Sequence, residues 1–182
     1  MKGADIPNNV FIVNADIAIA NADIIVNAAN GWGYMGGRSA RNGALNGVAE
    51  RLCFVTGGEM ESYCLKKARR FPHIPSFIFG KKKGEIFSSP SFGLNCAEVI
   101  HAVTMNSPGS RSDIKTVDTL VKCLFDYCHD KGLRTIAMPL LGTGTGRINR
   151  NDVYDIIINC AATLPHLQVF VYTMENVSQP RT

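Results

Sequence analysis

Met138-Pro-Leu-Leu-Gly-Thr-Gly-Thr-Gly-Arg147 follows a short apolar stretch and precedes a helix-like one. Glycines at alternate positions, Gly142, Gly144 and Gly146, let the backbone turn tightly and present bare N–H groups with no Cβ in the way. At the carboxyl end of a strand such a loop cradles phosphate, because successive amides and a nearby helix terminus both favour negative charge. A second glycine-rich loop, Asn30-Gly-Trp-Gly-Tyr-Met-Gly-Gly-Arg38, also follows a strand-like stretch. Two such loops point to a ligand with more than one phosphate.

The flanks of these loops set the fold class. Val10–Asn14 and Asp23–Asn27 read as strands rich in β-branched residues, and the second is almost wholly apolar, as expected when both faces of a sheet are covered. Further strands are expected near Gly84–Ser88, Glu98–Val103, Arg134–Pro139 and Gln168–Thr173. Helical periodicity runs over Ser39–Phe54, and Glu59–Arg70 is acidic at its start and basic at its end, as the helix dipole prefers. Ser112-Asp-Ile-Lys-Thr116 looks like a helix start, continuing to a stop at Gly132; Asn149–Thr163 is the last helix. The alternation of strand and helix in the second half implies a mostly parallel, mixed sheet between helices, a three-layer αβα sandwich. Residues 1–182 are expected to form one domain, with a core of about 10–176 and a polar tail, Val177–Thr182. In such sheets ligands bind at the carboxyl ends of the strands. Asp16, Asn30 and Gly142 all follow predicted strands, so one edge holds all three.

The chain has 182 residues, 46% hydrophobic and 19% charged, an ordinary globular balance. No apolar run approaches the ~20 residues that span a bilayer. The start, Met1-Lys-Gly-Ala-Asp-Ile6, lacks a basic segment followed by an apolar one, so a cytoplasmic protein is expected. Six cysteines are scattered with no CxxC pair and no matching histidines, which reads as reduced thiols and no metal site. The net charge of +4 comes from local clusters, Lys66-Lys67, Arg69-Arg70 and Lys81-Lys82-Lys83. They are either a solvated surface or an attraction for an anionic ligand or polymer. Neither an RNA-type aromatic strand signature nor a DNA-reading helix pair accompanies them.

Two familiar phosphate loops fail. A Walker loop needs G-x-x-x-x-G-K-[ST], and no such lysine follows Gly146. A dinucleotide fingerprint opens the first strand–helix unit, whereas this loop lies late in the chain.

The segments Asp23-Ile-Ile-Val-Asn-Ala-Ala-Asn30, Met35-Gly36-Gly37, Glu98-Val-Ile-His-Ala-Val103 and Ala137-Met-Pro-Leu-Leu-Gly-Thr-Gly-Thr-Gly146 resemble the macro domain family, in that order and with similar spacing. The resemblance spans roughly Val10 to Asn176. It implies ADP-ribose binding and, in many members, hydrolysis of ADP-ribosyl esters or glycosidic bonds. The substrates implied are mono-ADP-ribosyl-protein, O-acetyl-ADP-ribose or ADP-ribose 1''-phosphate. Carried over by position, Asp16 accepts from the adenine amino group and Ile17 donates from its backbone. Asn30 holds the distal ribose and orients the attacking water, as the catalytic residue, with Ala29 beside it. Gly36, Gly37 and Arg38 wrap the diphosphate from one side; Gly142, Thr143, Gly144, Thr145, Gly146 and Arg147 wrap it from the other. No cofactor or metal is implied.

Asn27 reads as structural, and His101, inside an apolar strand, as a core histidine. Trp32 and Tyr34 either cover a sugar or base, or pack beneath their own loop. The chain departs from the family where Arg38 and Ser39 follow Gly37, where no acidic residue stands between Gly37 and Val48, and at Thr145-Gly146-Arg147. Binding is therefore better supported than turnover. The alternative to a hydrolase is a non-catalytic ADP-ribose reader; a nucleic-acid-binding module built on the basic clusters ranks last.

Overall fold

The computed structural model describes residues 7–173, so the tail Val177–Thr182 lies outside the described residues. Six strands form one sheet: β1 (Val10–Val13), β2 (Ile24–Asn30), β3 (Ile86–Pro90), β4 (Glu98–Met105), β5 (Thr135–Pro139) and β6 (Gln168–Tyr172). Their order is β1-β6-β5-β2-β4-β3. Every neighbouring pair is parallel except β3–β4, which is antiparallel at the edge.

Side chains alternate across the sheet and fill two separate cores. Ile24, Val26, Ile100, Ile136, Met138, Val169 and Val171 face α4 (Ile114–Lys131) and α5 (Arg150–Thr163). Ile25, Val99, Val103 and Ala137 face the other way. There they meet a short 3-10 turn (Ile17–Ile19) and three helices, α1 (Gly37–Arg41), α2 (Val48–Val55) and α3 (Glu59–Lys67). Two helical layers thus enclose a mixed sheet. Strands β2 and β4 carry near-continuous apolar runs because both their faces are covered.

Local signals explain the long helices. Asp113 caps α4, accepting from Thr116 N at 2.8 Å, and Gly132 ends it in the left-handed region at φ 65°. Asn149 caps α5 by accepting from Asn151 N at 2.8 Å. Two further side chains tie elements together away from the glycine loops. Asp23 Oδ2 accepts from Arg134 N (2.7 Å) and Thr135 N (2.8 Å), pinning the starts of β2 and β5; these donors hold its carboxyl below the usual range. Asn9 Nδ2 reaches the carbonyls of Ala161, Leu164 and Leu167, fixing the end of α5 to β1.

The single helix expected over Ser39–Phe54 is two, separated by residues 42–47. Asn42-Gly43 and Asn46-Gly47 break it: Gly43 takes φ 91° and Gly47 is fully extended at φ -172°. Strand β2 runs on to Asn30 and β4 to Met105, each beyond its expected end. Their final residues are thereby held by the ladder rather than left in loops.

His101 is a core histidine. Its Nδ1 lies 3.0 Å from Asn27 Nδ2, its Nε2 2.9 Å from Ser89 Oγ, and its ring stacks on Phe87 at 4.8 Å. An amide donor on Nδ1 places the ring proton on Nε2. Burial disfavours the imidazolium and pushes its pKa down to about 3. An unfolded histidine protonates below about 6.5, whereas this one resists until about 3, so stability falls as pH drops between those values. We expect unfolding free energy to decline by up to ~1.4 kcal/mol per pH unit between about pH 6 and about 4.5. Urea titrations across that range measure it, and His101→Gln should flatten the slope; an unchanged slope in the variant removes His101 as its source.

Candidate functional site

Because five strands run the same way, their carboxyl ends share one edge, and a cleft of about 400 Å³ opens there. Asn30 from β2, Thr104 and Met105 from β4, Pro139 from β5 and Tyr172 from β6 all line it. Ile17, just beyond β1, and Thr173, just beyond β6, close one end. This is where ligands bind in open parallel sheets.

The loop after β5 forms one wall through Leu140, Gly142, Thr143, Gly144, Thr145 and Gly146. It is braced from within: Ile148 N donates to Gly142 O (3.0 Å), Arg147 N to Gly144 O (3.0 Å) and Thr143 Oγ1 to Leu140 O (2.9 Å). A Cβ on Gly142, at φ 73°, would lie 2.9 Å from Ile148 Cδ1, so the turn demands glycine. Gly144 differs, since a Cβ there meets nothing within 4 Å. Among the described residues the N–H groups of Gly142, Gly144, Thr145 and Gly146 donate to no protein acceptor. Beside them α5 begins, and its first residue, Arg150, also lines the cleft. Free amides, a helix N-terminus and a guanidinium make this wall an anion cradle.

The first glycine loop is built differently. Glu61, buried on α3, accepts from Met35 N and Gly37 N, each at 2.8 Å, through one carboxylate oxygen. Arg41 Nη1 approaches the other at 3.4 Å. One amide expected to wrap a ligand, that of Gly37, therefore holds an internal carboxylate instead, together with its neighbour Met35 N. Gly36, at φ 103°, lines the cleft, whereas Gly37 and Arg38 do not.

Asn30 closes its own loop. Its Nδ2 donates to Tyr34 O (2.8 Å) and its Oδ1 accepts from Trp32 N (3.2 Å) and Tyr34 N (3.3 Å), leaving one N–H for the cleft. Ala29 and Tyr34 line the cleft; Trp32 instead packs edge-on to Phe77 at 6.4 Å. Asp16 stands beside Ile17 and outside the lining. One of its oxygens caps the 3-10 turn at Ala18 N (2.9 Å) and the other pairs with Arg51 Nε (2.5 Å). Arg147 is exposed beyond the wall at φ 61°.

Beyond the strand-end residues Thr104, Met105, Tyr172 and Thr173, three more parts of the lining escape the sequence reading. Leu45–Glu50 enter because the helix breaks at Gly47; among the described residues Glu50 and Arg150 are the only charged ones in the lining. Pro108 and Gly109 follow the lengthened β4, in a turn whose Asn-Ser-Pro-Gly sequence marks it. Arg150 lay three residues past the end of the glycine loop, hidden in what read as ordinary helix. Among the described residues no cluster of His, Cys, Asp or Glu has metal-binding geometry, and no helix is long and apolar enough to cross a membrane.

The macro domain family model matches residues 26–157, and the chain belongs to this family. An uncharacterised protein of Aquifex aeolicus is 29% identical over 140 residues, covering 77% of this chain and 73% of that one. The macrodomain of Mycobacterium tuberculosis DarG superposes with TM-score 0.73 at 19% identity, covering 91% of this chain and 98% of that one. A Trypanosoma brucei macrodomain in complex with ADP-ribose superposes with TM-score 0.66 at 18% identity, covering 90% of this chain and 63% of that one.

Glu61→Gln should loosen the first loop, costing about 1–3 kcal/mol in urea unfolding, since charge-assisted bonds to two amides are lost. A variant as stable as the native chain would show that the carboxylate does not hold the loop.

Proposed function

We propose that the cleft binds ADP-ribose and hydrolyses its ester or glycosidic linkage to a protein side chain or small acid. The observation that carries this is the wall of four unclaimed amides, Gly142, Gly144, Thr145 and Gly146, beside Arg150 and the start of α5. A diphosphate supplies the acceptors these donors lack. The adenine then lies toward Ile17, Tyr172 and Thr173, with Ile17 offering backbone. Asp16, next to Ile17 and engaged by Ala18 N and Arg51 Nε, keeps a further lone pair on each oxygen for the amino group. The distal ribose lies toward Ala29, Asn30 and Gly36. Ligand complexes of relatives, such as the Trypanosoma brucei macrodomain with ADP-ribose, support the ligand class. Gly37, Arg38 and Arg147 act outside the cleft, shaping the loops that bear them.

Turnover needs a positioned water. The free N–H of Asn30 orients it, and fixed dipoles of the amide wall stabilise charge as the bond breaks. Glu50 strengthens the hydrolase over the reader: it is the one carboxylate of the lining and makes no hydrogen bond or ion pair among the described residues. It can therefore take a proton from the water. The substrates are mono-ADP-ribosyl-protein, O-acetyl-ADP-ribose or ADP-ribose 1''-phosphate, and no cofactor enters the reaction. Residues 1–182 act as one unit, and six free cysteines suit a reducing, cytoplasmic setting.

Calorimetric titration with ADP-ribose, AMP and ribose 5-phosphate tests the ligand, with ADP-ribose expected to bind much the tightest. Gly144→Val should weaken it at least ~10-fold, a loss of ~1.4 kcal/mol, at unchanged melting temperature. Normal binding by that variant contradicts the amide wall.

Release of ADP-ribose from each substrate class tests turnover. Asn30→Ala should slow release by about 10²-fold, as loss of one positioned donor does, and Glu50→Gln should lower kcat with little change in Kd. Tight binding by the native chain with no release from any class identifies a reader.

A further inference from the structure

The seven cations of the Lys66–Lys83 region have no acidic residue among them, against a net charge of only +4 for the whole chain, so the remainder is net acidic. The ADP-ribose cleft uses none of them. The structure shows what lies between the two clusters. Arg70 N donates to Phe79 O at 3.0 Å and its Nε to Gly80 O at 3.3 Å, closing residues 71–79 into a loop with cationic stems. The loop is fixed in place: Ser76 Oγ donates to Trp32 O (2.7 Å) and Lys81 N to Gly31 O (2.9 Å). A Cβ on Gly80 would fall 2.2 Å from Gly31 O, so the two backbones touch.

Along this anchored loop three aromatic rings face water. Phe71, Phe77 and Phe79 are 51%, 61% and 50% exposed. Phe71 and Phe79 meet edge to face at 5.8 Å and 87°, which leaves ring faces open rather than stacked on each other. The stems remain available for anions. Of the seven cations only Arg70, with Glu85, and Lys83, with Asp113, are paired with a carboxylate among the described residues.

Open aromatic faces between unpaired cations match a polymer with alternating flat bases and phosphates. We propose that the loop of residues 71–79 and its basic stems bind single-stranded DNA, on a surface separate from the cleft. Bases stack on the phenylalanines, whose faces accept any base, while the lysines track the backbone. Duplex hides its base faces and gains only the charge term. The single strand is deoxyribose because, apart from the exposed His73 imidazole, the loop side chains offer a 2'-hydroxyl nothing: its one hydroxyl, Ser76, is buried and already committed to Trp32. A ribose laid on Phe77 and Ile78 would lose water without gaining a partner.

Fluorescence polarisation of the full chain with a thymidine oligonucleotide of about 12 residues tests this, at about 50 and about 200 mM salt. Binding is expected, about tenfold weaker at the higher salt, and at least fivefold tighter than for duplex or for the matching uridine oligonucleotide. Phe71→Ser with Phe77→Ser should weaken it at least tenfold at both salt concentrations while thermal unfolding and ADP-ribose titration stay native. Lys81→Ser with Lys82→Ser should instead flatten the salt dependence. Saturating ADP-ribose should leave the affinity within twofold, so failure of the cleft reading and failure of this one are separable. Absence of binding, equal binding of duplex, tighter binding of uridine strands, displacement by ADP-ribose or a neutral phenylalanine pair would each overturn the proposal. So would preference for an acidic peptide over the oligonucleotide.

Discussion

A parallel sheet covered on both faces must deliver all its strand ends to the same rim, and the site depends on that constraint. Strands β1, β6, β5, β2 and β4 run one way, so Ile17, Thr173, Pro139, Asn30 and Met105 arrive together although they are far apart in sequence. Helices α4 and α5 take the chain back between β4, β5 and β6, and the antiparallel β3 does so before β4. Asp23 and Asn9 fix the ladder away from the glycine loops, which frees the other rim from structural duty. Main-chain donors there can stay open without costing the fold its integrity.

The two glycine loops share a composition and differ in what their amides do. In the loop after β5 four N–H groups have no protein partner among the described residues, whereas in the loop after β2 two of them close on buried Glu61. A buried carboxylate facing two amides resembles a bound anion, and it holds the loop in the shape such an anion would induce. The first loop is thus organised before any ligand arrives, and the second supplies the vacancies. That division lowers the ordering cost that binding would otherwise meet.

Much of this was legible in the chain. The apolar runs of β2 and β4, the helix starts at Ser112–Thr116 and Asn149 and the stop at Gly132 announce a layered α/β fold, since each rests on chemistry within a few residues. The alternate glycines at 142, 144 and 146 announce the cradle. What stayed hidden depends on pairs distant in sequence. Nothing near Gly37 marks Glu61 as its partner 24 residues on, and nothing near Asp16 marks Arg51. Residues 42–47 carried a local warning in two Asn-Gly pairs, yet the apolar periodicity of Ala40, Ala44, Leu45 and Val48 outweighed it. The break brings Leu45–Glu50 to the cleft, so misreading one turn also hid Glu50.

Asn30 shows why a residue can look structural and functional at once. Its three hydrogen bonds to Trp32 and Tyr34 build the turn that every other atom of the first loop depends on. The same bonds fix the plane of the amide, so the remaining N–H points where the backbone dictates rather than where a free rotamer settles. A donor held this way loses little entropy when it meets a hydroxyl or a water. Loss of its side chain therefore removes the donor and the frame that aims it together. Effects on loop stability and on ligand chemistry cannot be independent at this position, whereas at Gly144, where a Cβ meets open space, they are.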